Sequence, residues 1–338
     1  MKTKEEILEK YAPFIRRKDL DTIKDCNVTY IPTSEKEFQL VEATGEIPLT
    51  LKRIAKWFPR IERMYQIYHQ MDTLNVSYTT VKIPKRNGKF RILHTPNEEL
   101  KRIQTEILYF LYYYYLVNAH CHGFVPGRSV TTNAAAHIGR DRFLKLDIYN
   151  AFPSTESALL HGLVSNEVYQ VLHRLCFLKD GKGLPQGAPT SGYIFNIILD
   201  PLDDYVAEIG FRVGFRYTRY ADDITISWIE NSRVSIKKTI ALVKEKLAEL
   251  GFRLNENKIR TGKVGHVHVT GYVVHKDRIT IPRKYRRIYR AMLHNHKTGK
   301  RKLSNSQING IKGWLYTANI KHDIQSTLSF DKFKTKKT

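Results

Sequence analysis

Apolar and polar residues alternate with a period of two through Phe215-Arg216-Tyr217-Thr218-Arg219, and again through Ile224-Thr225-Ile226-Ser227-Trp228. Two such runs predict the strands of a β-hairpin, with Tyr220-Ala221-Asp222-Asp223 at its tight turn. Val81-Lys82-Ile83-Pro84 and Phe90-Arg91-Ile92-Leu93, joined through Lys85-Arg86-Asn87-Gly88-Lys89, predict a second hairpin turning on Asn-Gly. Phe143 to Ile148 reads as a short strand carrying Asp147 at its end. Helical spacing governs other stretches. Leu100 to Val117 predicts a long, largely buried helix, whose run of four tyrosines from Tyr112 reads as packing. Thr190 to Val206 predicts another. Ile236, Ile240, Val243, Leu247 and Leu250 recur at spacings of four and three and stop at Gly251. Phe252-Arg253-Leu254 and Val267 to Val274 supply further strands, and residues 1–78 are mostly helical in pattern. From Leu144 to Val274 the order is strand, helix, strand, strand, helix, strand. That is a split βαβ arrangement, which can bring Asp147 beside the Asp222-Asp223 turn.

Charge changes this picture more than composition does. Hydrophobic residues make up 42% and charged residues 26% of 338, values ordinary for a globular chain of about two to three domains. Lys and Arg, however, number 56 against 33 Asp and Glu, a net charge of +23 that points to a polyanionic partner. From Lys276 to Thr338 there are 17 basic and 3 acidic residues. The closing Lys332 to Lys337 cluster reads as a solvated arm, and the rest of that region as a folded nucleic-acid surface. Cys26, Cys121 and Cys176 have no paired spacing, so neither a disulfide framework nor a zinc finger is indicated. His120-Cys121-His122 are too close together to ligate one ion jointly, and no fourth ligand follows at a suitable spacing. Met1 to Glu6 has no apolar targeting core and no long apolar run follows, so a cytoplasmic protein without a membrane partner is expected.

Adjacent aspartates in a hairpin turn are, alone, ordinary turn chemistry. Two further features change that reading. Asp147 ends a strand of the same predicted sheet. Between the two acidic positions lies Gly183-Leu184-Pro185-Gln186-Gly187-Ala188-Pro189-Thr190-Ser191, a Gly/Pro-rich loop at a helix start that lets backbone approach a nucleotide and offers N–H groups to phosphate. Carboxylate oxygens suit Mg²⁺, and paired metals stabilise the attacking and leaving oxygens of phosphoryl transfer. The basic hairpin could fold over a triphosphate, or be solvent-exposed with lysines keeping its edge soluble.

In this order the motifs resemble those of reverse transcriptases. Leu184-Pro185-Gln186-Gly187 and Tyr220-Ala221-Asp222-Asp223 look like the family's nucleotide-pocket and catalytic motifs. Lys145-Leu146-Asp147-Ile148-Tyr149-Asn150-Ala151-Phe152 is similar to the motif bearing the first catalytic aspartate. The resemblance implies an α+β fold, a right-hand polymerase of fingers, palm and thumb with a split βαβ palm sheet. Residues 1–78 would be a helical extension, 79–141 the fingers, 142–275 the palm and 276–338 a basic thumb. It further implies that Asp147 and Asp222 hold two Mg²⁺ ions with Asp223 in support, and that Lys258 protonates the leaving pyrophosphate. Phe152 would be the aromatic gate that favours dNTPs. Gln186 and Gly187 would line the nucleotide pocket, with Lys82, Lys85 and Arg91 clamping the triphosphate.

A narrower resemblance, to bacterial retron reverse transcriptases, rests on Asn133-Ala134-Ala135-Ala136-His137 and on Val269-Thr270-Gly271. It implies RNA or DNA contacts at Asn133, His137, Thr270 and Gly271, beside the basic helix bearing Arg283, Arg286, Arg287 and Arg290. Asn133 and His137 could instead be a helix cap and a satisfied polar residue. The resemblance also implies a cognate structured noncoding RNA copied from an internal 2′-hydroxyl into a short branched DNA, host RNase H, a separate effector protein and a role in antiphage defence. Another bacterial reverse transcriptase, of group II intron or abortive-infection type, is the nearer rival. Sixty-three residues after the palm are few for the maturase extension of an intron enzyme. A nucleic-acid-binding scaffold with a vestigial site is the more distant rival, and the intact aspartates argue against it.

Overall fold

The computed structural model describes residues 2–25, 30–31, 49–84, 88 and 90–317. The chain forms two compact units, Met1–Val117 with Asn150–Ile198, and Asn118–Tyr149 with Leu199–Thr338. The first unit starts with β1 (Lys2–Thr3), α1 (Lys4–Tyr11), α2 (Arg17–Asp25), β2 (Tyr30–Ile31) and α3 (Leu49–Gln70). It continues through the hairpin β3 (Tyr78–Pro84) and β4 (Phe90–Pro96) into α4 (Glu98–Tyr114). Asn97 caps α4 by accepting the Leu100 N–H at 2.7 Å, and Glu98 and Glu99 complement the helix dipole in its first turn. Leu100, Ile103, Ile107, Phe110 and Leu111 form its buried stripe. The tyrosine run does pack: Tyr113 donates to Asp19 at 3.1 Å, and Tyr112 meets Tyr193 edge-on. Lys85, Arg86, Asn87, Lys89 and Cys26 lie outside the described residues.

The second unit carries α5 (Val130–Ala135) and β5 (Arg142–Asp147). After α6 (Asn166–Cys176) of the first unit, α7 (Ser191–Val213) runs from one unit into the other. The chain then forms β6 (Phe215–Tyr220), β7 (Asp223–Trp228), α8 (Ile236–Glu249) and β8 (Arg260–Lys263). These four strands make an antiparallel sheet in the order β6-β7-β5-β8. Strand β7 lies between β6 and β5, and β5 between β7 and β8, so the crossover from β5 to β6 and that from β7 to β8 are both split βαβ units. The expected α+β class and split palm sheet are both present.

Helix α7 runs to Val213, past the Val206 read from sequence, β3 and β4 each extend three residues beyond their predicted runs, and the strands after α8 differ more. Phe252 to Leu254 is not a strand: Gly251 and Phe252 close α8 onto the Ala248 and Leu247 carbonyls, and Leu254 makes only one bridge, to Ile148. The fourth strand is instead Arg260-Thr261-Gly262-Lys263, an edge strand with no buried residue and hence no apolar alternation to read. Val267 to Val274 is two strands, β9 (His268–Val269) and β10 (Tyr272–Val274), which reverse at Thr270 and Gly271 with φ of +43° and +93°. Strand β11 (Ile279–Thr280) completes that small sheet, followed by α9 (Arg283–Lys297) and α10 (Asn305–Thr317).

One buried histidine ties α5 to the large sheet. His137 is 0% exposed, with Nδ1 at 2.6 Å from Ser227 Oγ on β7 and Nε2 at 2.8 Å from Thr218 Oγ1 on β6. Burial, reinforced by the Arg216 charge, pushes its pKa well below the ordinary value, so the ring is neutral. Replacing it with Leu strands two buried hydroxyls, at roughly 1–3 kcal/mol. His137→Leu is therefore expected to lower the melting temperature by about 2–4 °C per kcal/mol lost, while the folded fraction binds nucleic acid as tightly as wild type. Calorimetry beside filter binding checks both.

Candidate active site

Register brings the acids together. Asp147, last in β5, is the direct cross-strand partner of Asp223, first in β7. Asp222 occupies the two-residue turn between β6 and β7, and its carbonyl accepts the Ile148 N–H at 3.1 Å. Three carboxylates thus share one end of the sheet. Asp147 is 6% exposed, and Asp222 and Asp223 are half-buried.

Lys258 reaches the same point. Its Nζ lies 2.7 Å from Asp147 Oδ2, and Asn255 Nδ2 donates to Asp147 Oδ1 at 3.0 Å. The Asn255 N–H also donates to the Asp147 carbonyl at 2.8 Å, which anchors the 255–258 turn to β5. Asn255 was not singled out from sequence; its only signal there is its place three residues before Lys258. Partial burial works against the Lys258 ammonium, but the hydrogen bond and charge of Asp147, with the charges of Asp222 and Asp223, win, and its pKa is raised. Since the lysine side chain is 58% exposed, that pair is worth no more than about 1 kcal/mol.

Burial raises the pKa of Asp222, and the neighbouring charges of Asp223 and Asp147 add to it. Burial likewise raises that of Asp223, with Lys145 opposing. The cluster is short of positive charge. Among the described residues no three His, Cys, Asp or Glu side chains stand arranged as a ready metal cage, and both Asp147 oxygens are engaged, by Lys258 and Asn255. The donor chemistry nevertheless fits a hard divalent cation: three carboxylates and no sulfur or imidazole. The weak Lys258 pair is the contact such a cation would displace.

The first unit gathers a different set. The Gln186 carbonyl accepts the His94 N–H of β4 at 2.8 Å, and the Phe152 carbonyl accepts the Leu184 N–H at 2.8 Å. Gly187 has φ of +129°, and a β-carbon there would lie 3.1 Å from the His94 carbonyl, so this close approach needs glycine. Phe152 stacks on Phe195 with centroids 5.3 Å apart. Phe152, Gln186, Gly187 and β4 therefore form one backbone-linked group, with His94 the member that sequence reasoning missed. Lys82 and Arg91 are not brought together. Lys82 opposes Ile92 and Ile83 opposes Arg91, so the two cations point to opposite faces of the exposed hairpin. That placement gives the expected clamp on one triphosphate no shared face for these two members, and Lys85, its third, lies outside the described residues.

The two narrower signatures meet in space. Asn133 Nδ2 donates to Thr270 Oγ1 at 3.4 Å, Thr270 Oγ1 to the Val130 carbonyl at 2.7 Å, and Thr131 Oγ1 lies 3.0 Å from the Tyr272 hydroxyl. Ala134 and Ala135 share a buried cluster with Val269 and Tyr272. Gly271 leaves room for Trp314 of α10, which stacks on Tyr272 with centroids 5.1 Å apart. Asn133 and His137 were expected at a nucleic-acid surface. They are 1% and 0% exposed and instead brace the packing of α5 and of the turn that follows it. On α9 no residue is buried; Arg283, Arg287 and Arg290 are exposed and Arg286 is half-buried.

Comparison with known proteins places this geometry. Residues 83–274 match the family described as reverse transcriptase (RNA-dependent DNA polymerase), and the chain belongs to that family. Its curated relatives include retron enzymes. Retron Mx162 reverse transcriptase of Myxococcus xanthus is 33% identical over 286 residues, covering 74% of this chain and 59% of that protein. Retron Mx65 reverse transcriptase, from the same organism, is 35% identical over 254 residues, covering 69% and 58%. Retron Ec83 reverse transcriptase of Escherichia coli is 30% identical, covering 70% and 80%. The chain thus spans under three fifths of the two Myxococcus relatives. A solved apo telomerase of Candida tropicalis overlays 59% of the chain at 13% identity, with a TM-score of 0.42. Among the described residues no helix is long and apolar enough to cross a membrane.

The raised carboxylate pKa values carry a stability cost. Between the ordinary carboxylate pKa and the raised one, the native protein holds more protons than the unfolded chain, so stability falls as pH rises through that window. Asp222→Asn is therefore expected to raise the melting temperature of the metal-free protein at pH 7 by about 2–4 °C. The gain should vanish below about pH 4, the ordinary carboxylate range. Thermal scans across pH check the sign.

Proposed function

We propose that this protein is a retron-type RNA-directed DNA polymerase, with Asp147, Asp222 and Asp223 as its catalytic carboxylates. The observation that carries the reading is the pairing of Asp147 with Asp223 across the sheet, one residue from Asp222 at the turn. In this reading residues 79–141 serve as fingers, 142–275 as palm and 276–338 as thumb. The primer hydroxyl gives up its proton to solvent and its oxygen attacks the α-phosphorus of a template-paired dNTP. A new P–O bond forms, the bond to the β-phosphate breaks, and pyrophosphate leaves. Two Mg²⁺ ions held by Asp147 and Asp222 would neutralise charge developing on the α-phosphate. Asp223 supports that site from the adjoining strand. Lys258 Nζ, freed from Asp147, gives a proton to the departing pyrophosphate.

The Phe152 ring stacks on Phe195, which supports a deoxyribose preference: in this reading the ring would exclude a ribose 2′-hydroxyl. The Gln186-Gly187 loop presents backbone to the nucleotide, with Lys82 or Arg91, one from each hairpin face, meeting its phosphates. Arg283, Arg287 and Arg290 recur along α9 and suit the backbone of a template–product duplex, with Arg286 beside them. Such contacts make binding steeply salt-dependent. Thr270 and Gly271 contribute indirectly, Thr270 by bonding Asn133 and the Val130 carbonyl and Gly271 by leaving room for Trp314 of α10. The retron relatives support a cognate structured noncoding RNA as template and primer, copied from an internal 2′-hydroxyl into a short branched DNA. A separate effector, host RNase H, antiphage defence and a cytoplasmic setting belong to the same reading.

The test is to purify the protein from its native operon and sequence the bound nucleic acid, beside an Asp222→Asn control. A single defined DNA joined to RNA through a debranchase-sensitive link, missing in the control, is expected. Heterogeneous cDNA would remove the retron assignment, and RNA alone in both samples would remove the polymerase. The gate is tested separately. Phe152→Ala should raise ribonucleotide relative to deoxyribonucleotide incorporation by about 10-fold or more, the scale of 1–3 kcal/mol at a packed pocket. Single-nucleotide extension with dTTP and UTP measures the ratio.

A further inference from the structure

Asp222 sits in a turn whose backbone L-residues avoid. Ala221 before it has φ of +56°, where the β-carbon crowds the carbonyl. Such conformers persist where their surroundings over-determine them. Three contacts within the second unit do so. Arg219 Nη1 donates to the Ala221 carbonyl at 3.1 Å. Residues 120–123 run beside β6, with the Arg219 N–H on the His120 carbonyl at 2.9 Å and the His122 N–H on the Arg219 carbonyl at 2.7 Å. That segment brings Gly123 so close that a β-carbon there would lie 2.6 Å from the Ala221 nitrogen. Beyond Ala221, the Asp222 carbonyl is held by the Ile148 N–H. The peptide groups on both sides of Asp222 are pinned.

The Arg219 guanidinium has little freedom left. Its Nε and Nη2 donate to the two Asp203 carboxylate oxygens at 2.8 and 2.5 Å, and the Tyr217 hydroxyl donates to Asp203 Oδ1 at 2.6 Å. Arg219 and Asp203 are both 0% exposed. A planar guanidinium gripped through two nitrogens has the direction of its third fixed. Stability alone does not account for the pair, because apolar residues of similar volume often hold such a position as well or better. What the pair supplies, and an apolar pair cannot, is a donor aimed at the turn.

We propose that Asp203 and Arg219 are positioning residues for Asp222. Asp203 on α7 orients Arg219, and Arg219 holds the Ala221 carbonyl. The orientation of the Ala221–Asp222 peptide sets the direction in which the Asp222 side chain leaves the turn. The inference rests on the polymerase reading of the three aspartates. It adds two residues that touch neither substrate nor metal.

Arg219→Lys tests it. The lysine keeps a buried positive charge opposite Asp203, but one ammonium cannot grip both carboxylate oxygens and the Ala221 carbonyl together. A charge-free companion, the triple Tyr217→Phe, Asp203→Leu, Arg219→Met, removes both buried charges at once and protects against failure to fold. Three quantities are read for each: thermal unfolding, Tb³⁺ luminescence titration without nucleotide, and dTTP incorporation on poly(rA)·oligo(dT). Both variants should remain folded and bind Tb³⁺ about 10-fold more weakly, as when a metal ligand loses its orienting partner. Turnover should fall by about 10-fold or more for a small misplacement, with KM for dTTP within about threefold of wild type. Tb³⁺ affinity and kcat within about twofold of wild type, in either variant, would overturn the clamp. Wild type and Asp222→Asn run alongside. Equal incorporation by both, or none by wild type, would sink the polymerase reading, while the Tb³⁺ comparison would still decide the clamp.

Discussion

The structure depends on the register of β5 against β7. Each strand buries its side chains on alternating faces, so a slip of one residue would turn Leu144, Leu146, Ile224 and Ile226 out of their packing. The core thus enforces the pairing that sets Asp147 opposite Asp223. The acids carry none of this cost themselves. They stand at the last position of one strand and the first of the next, where the ladder ends and carboxylates can share a half-buried space. His137, just past α5, secures β7 to β6, and the Asp203–Arg219 pair secures β6 from α7.

Assembled in this way, the site is electrostatically incomplete. Burial and the neighbouring carboxylates penalise the charges of Asp222 and Asp223, and Lys145 and the weakly paired, exposed Lys258 offset only part of that. A fold selected for stability alone would not gather them. The strained Ala221, held by a hydrogen bond from one side and a glycine from the other, belongs to the same economy: a preorganised turn maintained by rigid neighbours. The comparison with reverse transcriptases agrees with what the geometry offers a phosphoryl-transfer reaction.

Much of this was legible in the sequence, for identifiable reasons. The hairpin around Asp222 shows a clean period of two even though both faces of β7 are buried, because the buried alternates Thr218 and Ser227 are polar and bond His137. α8 announces its end with Gly251, whose φ of +76° only glycine adopts cheaply. Other features left no pattern. β8 is an exposed edge of Arg, Thr, Gly and Lys, indistinguishable from a loop by hydropathy. The burial of His137 depends on two hydroxyls at residues 218 and 227, and no local window contains them. Lys82 and Arg91 read as a basic pair until the cross-strand register separates their faces. Arg219 reads as one more surface cation of a basic chain, and its ion pair appears only when α7 is laid on β6.

The central claim is that Asp147 and Asp222 form one cation-binding pair once Lys258 releases Asp147. The most direct measurement is anomalous diffraction from crystals of the protein with template–primer and a dNTP analogue, soaked in Mn²⁺. The account predicts Mn²⁺ peaks bonded to carboxylate oxygens of both Asp147 and Asp222, with Lys258 Nζ withdrawn from Asp147. Fully occupied Mn²⁺ elsewhere, with the Asp147–Lys258 pair intact and no metal on Asp222, would contradict it.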